Sequence, residues 1–256
     1  MADKAASTDL AQAGEPVMTP RPPFSDHQVF VSLLPHMKAY ARKGLHEYKT
    51  GQNGGTFSAT ALEQYSAQVL ERVDALDSCI SSLRLALSFI EDLDRAHSRV
   101  IELYRYHHEN FLLRLTGVVD RAYRLVGASL MMSAKDLEKV GSNKLVDRAV
   151  VTDYPDVHGA LKTLADTAAA HKNDRNMVAH SAAYSTRELG LFTAVTTMNL
   201  GLKGIDLDEL MEHYFSNGAV SMVALIGEMV RGIEELLSTL APIYAAVTRG
   251  TPHGSV

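Results

Sequence analysis

Tyr104-Arg105-Tyr106-His107-His108-Glu109-Asn110-Phe111-Leu112-Leu113-Arg114-Leu115 is where the fold class becomes readable. Tyr104, His108, Phe111 and Leu115, continued by Val118, Ala122 and Leu125, alternate by fours and threes. That is the spacing of a seam in a helical bundle. The pattern predicts a helix from about Ala96 to Met131, roughly 50 Å long at 1.5 Å per residue.

Upstream, Thr60 and Glu63 form a Thr-x-x-Glu capping box. It opens a helix with apolar residues at Leu62, Tyr65, Val69, Val73, Leu76, Ile80, Leu83, Leu87 and Ile90. A first helix is expected over about 25–48, using Val29, Phe30, Leu33, Leu34, Met37, Tyr40 and Ala41, with Pro35 disturbing or dividing it. Downstream, residues 133–154 read as a polar connection with a short helix near Lys135–Lys139. Pro155 suits the first turn of a further helix carrying Val157, Leu161, Leu164 and Ala168. A short apolar segment follows at Leu189–Leu200, then a turn at Gly201–Gly204. The last long helix starts at Asp206 or Leu207 and repeats the alternation at Met222, Ile226, Met229, Ile233, Leu236 and Leu240, with Pro242 ending or kinking it.

The expectation is an all-α, up-and-down four-helix bundle with an additional N-terminal helix and short connecting helices. Residues 1–24, rich in Ala, Pro and Thr, read as a flexible tail, 25–247 as one domain, and 248–256 as a C-terminal tail. The formal net charge of −5 argues against a protein that coats long stretches of nucleic acid, so any such contact should be local. Cys79, the single cysteine, excludes an internal disulfide and a cysteine-based zinc cluster and fits a reducing cytosol. With no long apolar run and no signal-peptide pattern, a cytoplasmic protein without membrane contact is expected.

One stretch combines groups suited to phosphodiester chemistry: His171-Lys172-Asn173-Asp174-Arg175-Asn176-Met177-Val178-Ala179-His180. Arginine is a permanent planar cation with a fork of donors for phosphate, and histidine can exchange a proton near neutrality. Arg175 would stabilise the phosphate, His180 would act as general acid or base, and Asn176 would orient either one. Asp120, Asn110, Arg114 and Lys172 are secondary candidates for binding substrate. Residues five apart on a helix point about 140° from each other. Arg175 and His180 therefore converge only if the helix ends between them or if both flank a groove at an interface. Asn173 or Asp174 can cap a new helix here, or the preceding helix can run on through Arg175. The plainer alternative makes Arg175 a surface ion-pair partner and His180 a capping or satisfied buried residue. With eleven histidines in the chain, Arg-His spacings also arise by accident, as in Arg21 and His27.

Arg175-Asn176 followed by His180, behind a helical run, resembles the signature of HEPN domains (higher eukaryotes and prokaryotes nucleotide-binding). The run Glu109–Leu115 with Val118-Val119-Asp120-Arg121 resembles the long helix that precedes the motif in one branch of that superfamily. The likeness covers about residues 60–240, and His171–Asp174 departs from it by being polar where members often keep the helix running. The resemblance implies a four-helix bundle that dimerises with the motifs of two chains facing each other. It also implies a metal-independent endoribonuclease without cofactor in a toxin, defence or RNA-processing role, with RNA as substrate and a cognate antitoxin or protein partner. Other members are inactive and bind nucleotide, RNA or protein.

A di-metal bundle is the rival reading. Asp94-x-x-His97 and Glu209-x-x-x-His213 have compatible spacing, and Glu102, His107, His108 and Glu109 lie near one another. No second Glu-x-x-His completes the set, so no metal is expected. Of the adjacent His107 and His108, one reads as a partly buried seam residue.

Overall fold

The computed structural model describes residues 21–51, 55–171, 176, 178, 184–200 and 204–250. Among them every regular element is helical. The helices are α1 (Leu34–Thr50), α2 (Ala61–Glu91), α3 (Val100–Ser129), α4 (Ala134–Leu137), α5 (Ser142–Val150), α6 (Pro155–Ala169), α7 (Arg187–Met198), α8 (Leu207–Thr239) and α9 (Ala241–Thr248).

Helices α2, α3, α6 and α8 form a closed ring: α2 packs on α3 and α8, and α6 packs on the same two. The stripes read from sequence supply the core. Leu115, Val118, Ala122 and Leu125 of α3 are fully enclosed, as are Met229, Ile233 and Leu236 of α8. Each large aliphatic side chain withdrawn from water in this way contributes roughly 1.5–3 kcal/mol. Gly232 permits the close approach of α8 to α6, because a Cβ there would stand 2.7 Å from Leu164 Cδ2.

The helix starts follow local chemistry. Thr60 Oγ1 accepts the Glu63 N–H while Glu63 accepts the Thr60 N–H, completing the capping box. Lys43 of α1 donates to both Glu63 oxygens, at 2.7 and 2.9 Å, and so ties α1 to the start of α2. That contact, with the Thr60 N–H, holds the Glu63 carboxyl below its usual range. Asp206 caps α8 by accepting from Glu209 N–H. At the far end of α3, Tyr65 of α2 donates to the Ser129 carbonyl and Tyr244 of α9 shares a 2.8 Å hydrogen bond with the Ser129 hydroxyl.

Two sequence expectations need correction. The first helix does not run from residue 25. Residues 24–30 form two 3₁₀ turns, and α1 starts at Leu34 with Pro35 in its first turn, where the missing N–H costs nothing. Residues 133–154 are not mainly a loop. Besides α4 they contain α5, whose Val146 and Val150, one turn apart, are buried under polar neighbours that mask the pattern. Pro242 does break the last long helix, which stops at Thr239 before α9 begins. The end of the segment read as a tail is fixed to the bundle. Arg21 stacks over Phe24 and pairs with Asp77 of α2 and Glu234 of α8, while Asp77 accepts the Phe24 N–H. No helix among the described residues is long and apolar enough to cross a membrane.

Truncating Leu164 to alanine should cost roughly 2–5 kcal/mol of unfolding free energy, because it is enclosed between α6 and α8. Thr60→Ala, which removes a cap only, should cost about 1 kcal/mol. Chemical denaturation of both variants checks the ranking.

Candidate aromatic cleft beside the motif

The described residues that flank the motif, His171 just past the end of α6 and Tyr184 before α7, line one cleft of about 300 Å³. The facing walls come from α3, through Tyr104, His108, Phe111 and Leu112, and from α8, through Tyr214, Asn217, Gly218 and Ser221. On both helices these positions recur at three- and four-residue spacing, so each set occupies one face.

Aromatic stacking sets the walls. Tyr104 lies on Phe215 with ring centroids 4.3 Å apart and planes inclined by 17°. Its hydroxyl rests against the backbone of α8 at Gly218, where any Cβ would collide with it. His108 stacks on Tyr184 at 4.1 Å and 20°. Tyr184 is held from the other side, since its N–H donates to Glu109 at 2.6 Å. The Tyr214 hydroxyl is hydrogen-bonded to Thr186 Oγ1, the residue that caps α7.

Burial governs the titratable groups on the α3 wall of the cleft. Burial, helped by His171 nearby, pushes the His108 imidazole down to about 4, so it is uncharged at neutral pH. Its Nδ1 is buried with no hydrogen-bond partner among the described residues. Burial raises the Tyr104 phenol well above its ordinary range, so it stays protonated. No lysine or arginine is among the described residues lining the cleft. One turn from Glu109 on α3, Arg105 has a buried Nε with no acceptor.

Of the sequence-predicted site residues, Arg175, His180 and Lys172 lie outside the described residues. Asn176 is helical and half-buried. Asn110 and Arg114 are brought together, with Arg114 donating to Asn110 Oδ1 at 3.1 Å. They line a different hollow, with Phe89, Tyr106 and His107. Residues 108 and 110 point about 160° from each other around the helix, so this pair does not face the aromatic cleft. Asp120 is farther along α3, accepting from Asn143 at 2.9 Å. The metal-type spacings come to nothing where they are described: His97 accepts from the Arg99 N–H, His213 is bonded to Asn217, and Glu102 pairs with Arg99. Among the described residues no three His, Cys, Asp or Glu side chains are grouped to hold a metal ion.

Sequence reading overlooked Tyr184, Tyr214 and the role of His108 and His171. The available signal was polar interruption of an apolar stripe: His108 within the α3 seam, and Asn217, Gly218 and Ser221 between Phe215 and Met222 on α8. No protein-family description, curated protein or solved structure matches the chain.

The His108 shift has a testable sign. Its folded-state value lies below its ordinary 6.5, so the unfolded chain takes up the extra proton first. The protein should lose stability as pH falls from about 6.5 to about 4, on the order of 3 kcal/mol for this group. His108→Phe should remove that part of the slope in denaturation measured across the window.

Proposed function

We propose that this protein is a HEPN-type, metal-independent endoribonuclease acting as a homodimer, with Arg175, Asn176 and His180 as its catalytic residues. The observation that carries the reading is the convergence of His171 and Tyr184, the described shoulders of the motif segment, on one aromatic-walled cleft with His108. A cleft of that size and aromatic lining suits a splayed nucleobase, which single-stranded RNA offers and a duplex does not.

The chemistry needs no cofactor. The 2′-oxygen of the ribose attacks the adjacent phosphorus, a base removes its proton, and an acid protonates the departing 5′-oxygen. The products are a 2′,3′-cyclic phosphate and a free 5′-hydroxyl. His180 of each chain supplies one proton-transfer group, so a two-fold dimer supplies the acid and the base together. Arg175 stabilises the crowded phosphate. A role in toxin, defence or RNA-processing systems, with a cognate antitoxin or protein partner, goes with this reading.

A second reading has its own support: no lysine or arginine is among the described residues lining the cleft, and the chain carries net charge −5. That favours a silent bundle that binds a nucleotide, RNA or a protein partner without cutting.

Purified protein incubated with single-stranded RNA and a chelator separates the two. The nuclease reading expects cleavage to 2′,3′-cyclic ends, reduced roughly 10²–10⁴-fold in His180→Ala and similarly weakened in Arg175→Ala. Intact RNA in every tube, with RNA retained on the protein, establishes the silent binder instead.

A further inference from the structure

We propose that a second cleft, between α2 and α3, is a phosphate-binding site for a nucleotide or an RNA backbone. It has a volume of about 330 Å³ and is lined by Arg72, Ala75, Asp120, Arg121 and Arg124. It lies apart from the aromatic cleft. Along α3 the two are separated by roughly 20 Å at 1.5 Å per residue. The proposal stands whether or not the chain cuts RNA.

Three half-buried guanidinium groups share this hollow, in a chain with more acidic than basic residues. Their neutralisation within the protein is poor. Arg72 has only Glu71 at 4.0 Å, at the limit of an ion pair. Arg121 uses one nitrogen on the Gly117 carbonyl, at 2.9 Å, and has no carboxylate within ion-pair distance among the described residues. Among the described residues Arg124 finds neither a hydrogen-bond acceptor nor an ion-pair partner. The one carboxylate in the lining, Asp120, is exposed and engaged by Asn143 rather than by an arginine. Like charges gathered at partial burial repel one another, and elsewhere in the bundle arginines such as Arg21 and Arg95 are paired with carboxylates.

One of the three donors is fixed in advance. Arg121 folds back over Gly117, where a Cβ would stand 2.7 Å from its terminal nitrogen, so the absent side chain creates the seat for the guanidinium. Arginine's planar fork matches tetrahedral oxyanions through paired donors. Donors fixed in advance lose less freedom on binding. A phosphate dianion or a diester would satisfy donors that the protein leaves open.

The test uses the full chain and inorganic phosphate, read as the rise in unfolding midpoint against chloride at matched ionic strength. The wild type should be stabilised. Arg124→Gln and Arg72→Gln, each of which removes one of the clustered charges, should each weaken phosphate binding about tenfold. Asp120→Asn should strengthen it by removing a competing negative charge, an opposite sign that loss of folding cannot imitate. Competition then separates the sources, using adenosine monophosphate and a short single-stranded RNA, with adenosine as the control. Displacement at lower concentration by the mononucleotide identifies a nucleotide site, and by the RNA a backbone site. No stabilisation by phosphate, a shift unchanged in Arg124→Gln, or displacement by neither competitor overturns the proposal.

Discussion

Leu115, Val118, Ala122 and Leu125 of α3 have no route out of water except against α2 on one side and α6 on the other. This enclosure of one long helix by two others is the constraint from which the rest follows. It fixes the angular setting of α3. Once the seam faces inward, every other position on the helix is committed to a direction by the 100° step between residues. The aromatic cleft, the Asn110–Arg114 hollow and the arginine hollow are three consequences of that single setting.

The cleft lies where the seams stop being apolar. A leucine at position 108 would pack without charge or hydrogen-bonding demand. The histidine there instead resists protonation down to about pH 4 and keeps a buried Nδ1 with no hydrogen-bond partner among the described residues. On α8, Gly218 makes room for the Tyr104 hydroxyl, and Asn217 and Ser221 bring polar groups onto the same face. Among these choices, burying the His108 ring weakens the bundle locally by desolvating a polar atom. They also leave a recess with flat walls, the shape a planar ring requires.

The arginine hollow obeys a different economy of charge. Most ion pairs described here are half-exposed and contribute little individually. Arg21 is an exception in function: by joining Asp77 on α2 to Glu234 on α8 it closes the ring of helices over Phe24. Arg72, Arg121 and Arg124 do no such joining. Their charges face a shared space, which is why the hollow is read as a place for an external anion.

Helix class and several helix starts were legible in the residues themselves. The four-three alternation of α3 and α8, the Thr60–Glu63 box and Pro155 act over a few residues, and local chemistry suffices to read them. The helix α5 was hidden, because two buried valines among polar neighbours carry too little pattern. The candidate site was readable only in part. The stretch 171–180 contributes His171 to the aromatic cleft, with Arg175 and His180 outside the described residues, whereas Tyr184, Tyr214 and His108 are distant in sequence and share no local signal. The sequence by itself determined that α3 would bury a seam. Only the tertiary structure decided that His108 meets Tyr184 while Asn110, two residues on, faces elsewhere, because the neighbours of a helical side chain are chosen by which other helices pack on its face.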